Sequence, residues 1–124
     1  MVLFMRRHSD TRALLAAAIL AIAAGCSASS DVSRELGARC DQQDECDDRC
    51  LSGQLYPGGF CSASCDSDSD CPDEGACTDV DGGVCLFDCV AAADCAFLGS
   101  GWRCRPEPGR GAIGGQVMVC IGPG

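Results

Sequence analysis

Apolar residues are distributed along this chain in two unlike ways. Ala13 to Ala24 is an uninterrupted apolar run, ALLAAAILAIAA, behind a leader that carries Arg6, Arg7 and Arg12. Beyond it the chain turns polar, and the large apolar side chains (Leu36, Leu51, Leu55, Tyr56, Phe60, Leu86, Phe87, Phe97, Leu98, Trp102, Ile113, Val117 and Val119) are spread thinly. A helix across the hydrocarbon layer needs about 20 apolar residues, so a run of twelve predicts an export signal over residues 1–25 rather than a membrane span. The later apolar positions predict only short elements. Gly58-Gly59 precedes Phe60-Cys61, Gly82-Gly83 precedes Val84-Cys85, and GGQVMVC ends at Cys120. Each glycine pair supplies positive φ for a tight turn, and the residues after it begin a short extended segment.

The polar stretches between these segments are ordered by cysteine. Set apart from Cys26, twelve cysteines form three units of four: Cys40-x5-Cys46-x3-Cys50-x10-Cys61, Cys65-x5-Cys71-x5-Cys77-x7-Cys85 and Cys89-x5-Cys95-x8-Cys104-x15-Cys120. Every unit opens with the same x5 gap, both junctions are x3, and the units start 25 and then 24 residues apart, which marks an internal repeat. CDQQDEC, CDSDSDC and CVAAADC all put an acidic residue just before the second cysteine. Their Asp and Ser side chains bond back to backbone and predict turns, with at most one helical turn. So few large apolar groups bury little area by themselves, whereas a disulfide typically contributes about 2 to 4 kcal/mol. Twelve cysteines allow six bridges in an oxidising compartment, and within a unit three pairings stay open.

The expected fold class is therefore small and disulfide-rich: three tandem four-cysteine units with short β-hairpins, irregular loops and little helix beyond the signal peptide. Its divisions are residues 1–25 as signal, 26–39 as a lipidated flexible tether, with SRELGA able to form one helical turn, and 40–124 as the disulfide-rich domain with units 40–61, 65–85 and 89–120.

Composition narrows the function. From Cys26 onward the chain has seventeen acidic residues against six arginines, a net charge of −11, with neither His nor Lys. Nucleic acid is disfavoured as a partner, and cationic ligands or proteins are favoured. No catalytic residue is expected: the thiols are oxidised, no nucleophile–base pair stands out, and Ser52, Ser62, Ser64, Ser67, Ser69 and Ser100 lack a G-x-S-x-G setting. No cofactor or metal site is expected either, because the chain has no C-x2-C and its one histidine, His8, lies in the signal. DSDSD with PDE, and DVDGG at Asp79 to Gly83, alternate oxygen ligands, but Cys71 and Cys77 occupy the glycine and glutamate places of a calcium loop counted from Asp66. Trp102 beside Arg103 reads as core packing or a cation–π contact.

Ala23-Ala24-Gly25-Cys26 resembles the lipobox of bacterial lipoproteins, which implies that Cys26 carries lipid on its sulfur and becomes the new amino terminus. Ser27 in the next place resembles outer-membrane sorting; an ordinary signal-peptidase cut after Ala23 or Ala28 is the alternative. CDSDSDCPDEGAC is similar to the tandem cysteine-rich repeats of small secreted lipoproteins from myxobacteria and related bacteria, and more distantly to whey acidic protein and Dickkopf-type modules, which often carry an adjacent Cys-Cys that this chain lacks. The resemblance implies a membrane-anchored, non-catalytic binding or structural module on the outer membrane or cell surface, facing the periplasm or the exterior. Two alternatives stand beside it. One is a secreted protease inhibitor baited by Leu51 to Phe60 or by Arg105 to Val119, and the other is a calcium-binding adhesion module.

Overall fold

The computed structural model describes residues 32–111 and 115–124. Cys26 and the signal and tether residues before Val32 lie outside them, as does Ile113. Each unit builds one antiparallel hairpin. Strands β1 (Arg49–Leu51) and β2 (Phe60–Ser62) pair in the first unit, β3 (Gly75–Thr78) and β4 (Val84–Phe87) in the second, β5 (Arg103–Pro108) and β6 (Gln116–Ile121) in the third. Among the described residues the remaining helical structure is four 3-10 segments, Gln43–Glu45, Asp68–Asp70, Val80–Gly82 and Ala92–Leu98. The small disulfide-rich class and its short hairpins are as the cysteine pattern predicts.

The pairing that the sequence left open is the same in all three units. The first cysteine joins the third and the second joins the fourth: Cys40–Cys50 and Cys46–Cys61, Cys65–Cys77 and Cys71–Cys85, Cys89–Cys104 and Cys95–Cys120. Register explains the pattern. The third and fourth cysteines stand opposite each other in every hairpin, Cys50 by Cys61, Cys77 by Cys85 and Cys104 by Cys120. Each of these opposed pairs sends its sulfurs to the two ends of the x5 loop, which is thereby stapled to the hairpin at both ends.

The acidic residue before the second cysteine closes that loop. Glu45 Oε1 accepts hydrogen bonds from the amides of Asp41 and Gln42 at 2.6 and 3.0 Å. Asp70 Oδ2 accepts from Asp66 and Ser67 at 2.9 and 3.3 Å, and Asp94 Oδ2 from Val90 and Ala91 at 2.8 and 3.0 Å. A second repeat position reaches the hairpin: Gln43 Oε1 accepts from the Cys50 amide, and Asp68 Oδ1 from the Cys77 amide at 2.8 Å. The third unit has Ala92 at that place, with no acceptor, and its 3-10 segment runs on to Leu98.

The amides of Asp41 and Gln42 hold the Glu45 carboxyl below the usual carboxylate range, and those of Ala91 and Val90 do the same for Asp94. A carboxylate with a depressed folded pKa adds stability that is present above its unfolded pKa and lost as pH falls through its folded one. The oxidised protein is therefore expected to lose denaturant resistance between about pH 5 and pH 3. A Glu45→Gln, Asp94→Asn variant should show a flatter loss over that window in urea titrations at stepped pH; an identical slope would remove these two groups as its source.

The x3 junctions have a structural cause. Two residues before the first cysteine of a unit, the chain lies beside that unit's last strand: the Cys61 amide donates to Ala38 O at 2.8 Å and the Cys85 amide to Ala63 O at 3.1 Å. In the third unit Asp88 bridges to Val119 in the same register. One extended segment thus leaves one hairpin and lines the next, so Ser62-Ala63-Ser64 serves two units at once. Ser62, fully buried, adds a hydrogen bond from Oγ to Cys85 O at 2.7 Å.

The glycine pairs do more than turn the chain. Gly59 and Gly83 have φ of +86° and +110°, and each passes against the first cysteine of its own unit. A Cβ on Gly59 would stand 1.9 Å from the Cys40 carbonyl oxygen, and one on Gly83 2.4 Å from that of Cys65. Gly53 has φ +105° but open space around it. Gly59→Ala is expected to cost about 2 kcal/mol more than Gly53→Ala in denaturant unfolding, since only the former adds a backbone collision to left-handed strain. Equal losses would show that strain alone matters.

One expectation is corrected by the packing. Residues 33–39, assigned to a flexible tether, are part of the folded body: Ser33 to Leu36 form a hydrogen-bonded turn, the Gly37 amide donates to Cys61 O at 2.8 Å, and Leu36 is 2 % exposed. The apolar side chains, sparse along the chain, converge in space. Leu36, Leu51, Tyr56, Phe60, Val84, Leu86, Phe87, Leu98, Trp102, Val119 and Ile121 form one core across all three units. Phe60 sits at its centre, with ring centroids 6.4 Å from Tyr56, 6.0 Å from Phe87 and 5.2 Å from Trp102. Trp102 is core, and its Nε1 donates to Pro57 O at 3.1 Å. Tyr56 donates from its hydroxyl to Asp81 Oδ2 at 2.5 Å; burial, then that hydrogen bond, pushes the phenol well above its usual range.

Candidate binding groove

All twelve cysteines of the three units are spent on bridges, which sets the chain in an oxidising compartment outside the cytoplasm. Among the described residues no helix is long and apolar enough to cross a membrane. The sulfurs of Cys40, Cys46 and Cys50 lie within 4.8 Å of one another, as do those of Cys65, Cys71 and Cys85 and of Cys89, Cys95 and Cys120. These triads arise because the two bridges of each unit are neighbours, and as disulfides they offer no thiolate to a metal.

The oxygen-rich loops are engaged within the protein. Asp68 and Asp70 accept backbone amides, Asp81 accepts the Tyr56 hydroxyl, and Asp79 pairs with Arg110 at 3.3 Å. In the candidate bait segment Arg105 to Val119, Arg105 stands on β5 and Arg110 in the turn between β5 and β6, and both side chains are engaged within the protein. Arg105 donates to Pro123 O at 2.9 Å and to Glu107 at 2.8 Å, and Arg110 donates to Gly82 O. Leu51 and Phe60, the ends of the other bait segment, face each other across β1 and β2 and are buried. Among the serines singled out, Ser67 and Ser69 share a hydrogen bond of 2.9 Å, while Ser62 is inside.

The structure opens instead a groove of about 1120 Å³ between the second and third units. Its floor is apolar, made by Ala76 of β3, Phe87 of β4 and Val117 of β6. Its walls are Val90, Phe97 and Met118, 88 %, 40 % and 41 % exposed. Phe97 stacks edge-on against Phe87 at 5.0 Å, which fixes an exposed ring on a buried one. Four carboxylates, Asp68, Glu74, Asp88 and Asp94, line the same groove, and no arginine does. Partial burial first, then the charges of Glu74 and Asp68, push the Asp88 carboxyl above its usual range. Among the described residues neither Glu74 nor Asp88 has a side-chain hydrogen bond or ion pair, although the Asp88 amide donates to Glu74 O at 3.1 Å.

This site was not singled out in advance, yet one signal for it stands in the repeat. The residue after the first cysteine is Asp41 in the first unit and Asp66 in the second, but Val90 in the third, where the loop continues with Ala91, Ala92 and Ala93. An x5 loop that loses its polar side chains at solvent-facing places leaves an apolar surface uncovered. The chain matches no protein-family model, no curated protein and no solved structure.

Proposed function

We propose that the protein is an exported lipoprotein whose disulfide domain acts as a non-catalytic binding or structural module at the cell envelope, held to the outer membrane or cell surface through acylated Cys26. The observation that carries this reading is the complete pairing of the other twelve cysteines with one another, which sets Cys26, behind the apolar run and Ala23-Ala24-Gly25, apart as the thirteenth. A lipidated amino-terminal cysteine anchors a protein that has no spanning helix, provided more than one acyl chain is attached. Ser33 already belongs to the folded body, so no more than Ser27 to Val32 separate a lipid on Cys26 from it.

Intact mass of the detergent-extracted protein tests the reading. The expected mass starts at Cys26 and carries acyl chains and six disulfides, and Cys26→Ala shifts the protein from the membrane to the soluble fraction. A mass starting at Ala24 or Ser29, without lipid, would overturn it.

A further inference from the structure

We propose that the groove between the second and third units binds a cationic, partly apolar peptide segment of another protein, its basic groups held by Glu74 and Asp88 and its apolar side chains by Phe97 and Met118. The inference rests on the reading of the domain as a binding module and adds to it the place and the chemistry of the partner.

Charge and shape select this occupant. Four carboxylates surround an apolar floor, and none of the six arginines of the described residues lines it: Arg34 pairs with Asp47, Arg105 with Glu107, Arg110 with Asp79, Arg39 and Arg49 donate to the carbonyls of Leu98 and Asp81, and Arg103 is exposed on β5 outside the groove. No internal cation thus neutralises the groove. Anionic lipid headgroups and nucleic acid are repelled by such a rim. A bare metal ion would leave Phe97, Met118 and Val90 uncovered, whereas a segment that alternates basic and aromatic residues satisfies both surfaces together. Asp94 and Asp68 already accept backbone amides, which holds their carboxylates in place at the rim. Glu74 and Asp88 are left to meet the partner's charge. At about 1120 Å³ the groove is somewhat larger than the usual small-molecule pocket, a size suited to a short chain segment.

The test is calorimetric titration of the oxidised full-length mature protein with a capped hexapeptide that alternates arginine and phenylalanine, beside hexaarginine and a hexapeptide that alternates glutamate and phenylalanine. One-to-one binding of the first peptide, much weaker binding of both controls, and weakening in 0.5 M salt are expected. Glu74→Gln with Asp88→Asn should weaken binding about tenfold, and Met118→Ser by a similar factor through lost apolar contact. Both sites are exposed, so these variants keep six disulfides, checked by mass, and a native Trp102 fluorescence. No heat with the mixed peptide, equal binding of hexaarginine, or unchanged affinity in the variants would overturn the proposal. So would a concentration-dependent dimer of the protein abolished by Met118→Ser, or binding of the unlipidated domain to anionic vesicles through the same residues. Membrane fractionation of the same variants stays at the wild-type level if only the groove assignment fails, which separates that failure from failure of the anchored-module reading.

Discussion

Full reduction is expected to unfold this protein at neutral pH without any denaturant. The six bridges close loops with sequence separations from 10 to 25 residues. A loop of 15 residues is restrained in the unfolded chain by about 3 kcal/mol, so six such restraints exceed the 5 to 15 kcal/mol by which ordinary domains are stable, even allowing for overlap between interlaced loops. What remains after their removal is one modest apolar cluster in a chain whose net charge from Cys26 onward is −11, and self-repulsion acts against it. The protein purified from its host without reductant should take up no alkylating agent at the twelve bridge cysteines. After reduction it should take up twelve equivalents and lose the near-ultraviolet signal of Trp102 and Tyr56. A reduced chain that kept this signal would show that the apolar core suffices, and the central role given to sulfur here would fall.

Phe60→Ala should be the most damaging single core change, with a loss of about 3 to 5 kcal/mol in guanidinium unfolding of the oxidised protein. Phe60 is fully buried and touches aromatic rings from three separate stretches of the chain, Tyr56 in its own hairpin, Phe87 of the second unit and Trp102 of the third. Removing it leaves a cavity that the stapled hairpins on either side have little freedom to fill. Phe97→Ala offers the comparison, because that ring is 40 % exposed and pairs with a single aromatic ring, Phe87, and its loss should be about 1 kcal/mol. Equal effects of the two changes would contradict a core centred on Phe60.

The contrast between these rings also shows what the sequence made legible. The units were readable because cysteine gaps, glycine pairs and the acidic residue before each second cysteine recur in register, and each proves to have a local task. Glu45, Asp70 and Asp94 fold back onto amides three and four residues earlier, and Gly59 and Gly83 pass beneath a carbonyl. Pairing was not readable, since three connectivities satisfy any four cysteines and the choice follows from hairpin register. Nor was the single core. Its members are up to 85 residues apart, Leu36 to Ile121, and meet only because the x3 junctions lay each hairpin beside the previous one. The flexible tether was read from small polar residues at its start, but Leu36 outweighs them by burying itself beneath the second unit. For the groove, net negative charge was visible as a total, whereas its focus at Glu74 and Asp88 beside Phe97 depends on how two units meet.

The interlaced bridges have a consequence for survival among extracellular proteases. A single cut anywhere between Cys40 and Cys61, between Cys65 and Cys85, or between Cys89 and Cys120 leaves both fragments joined by at least one bridge. Between Cys40 and Cys120 only the two junctions offer bonds whose scission would divide the domain, and there Ser62, Leu86 and Phe87 are buried, Ser64 and Asp88 are exposed, and the backbone is paired with the neighbouring unit. Hydrolysis at the accessible loops therefore nicks the protein without dismantling it, and the two short stretches where one cut would divide the domain are held extended against the neighbouring unit by backbone hydrogen bonds.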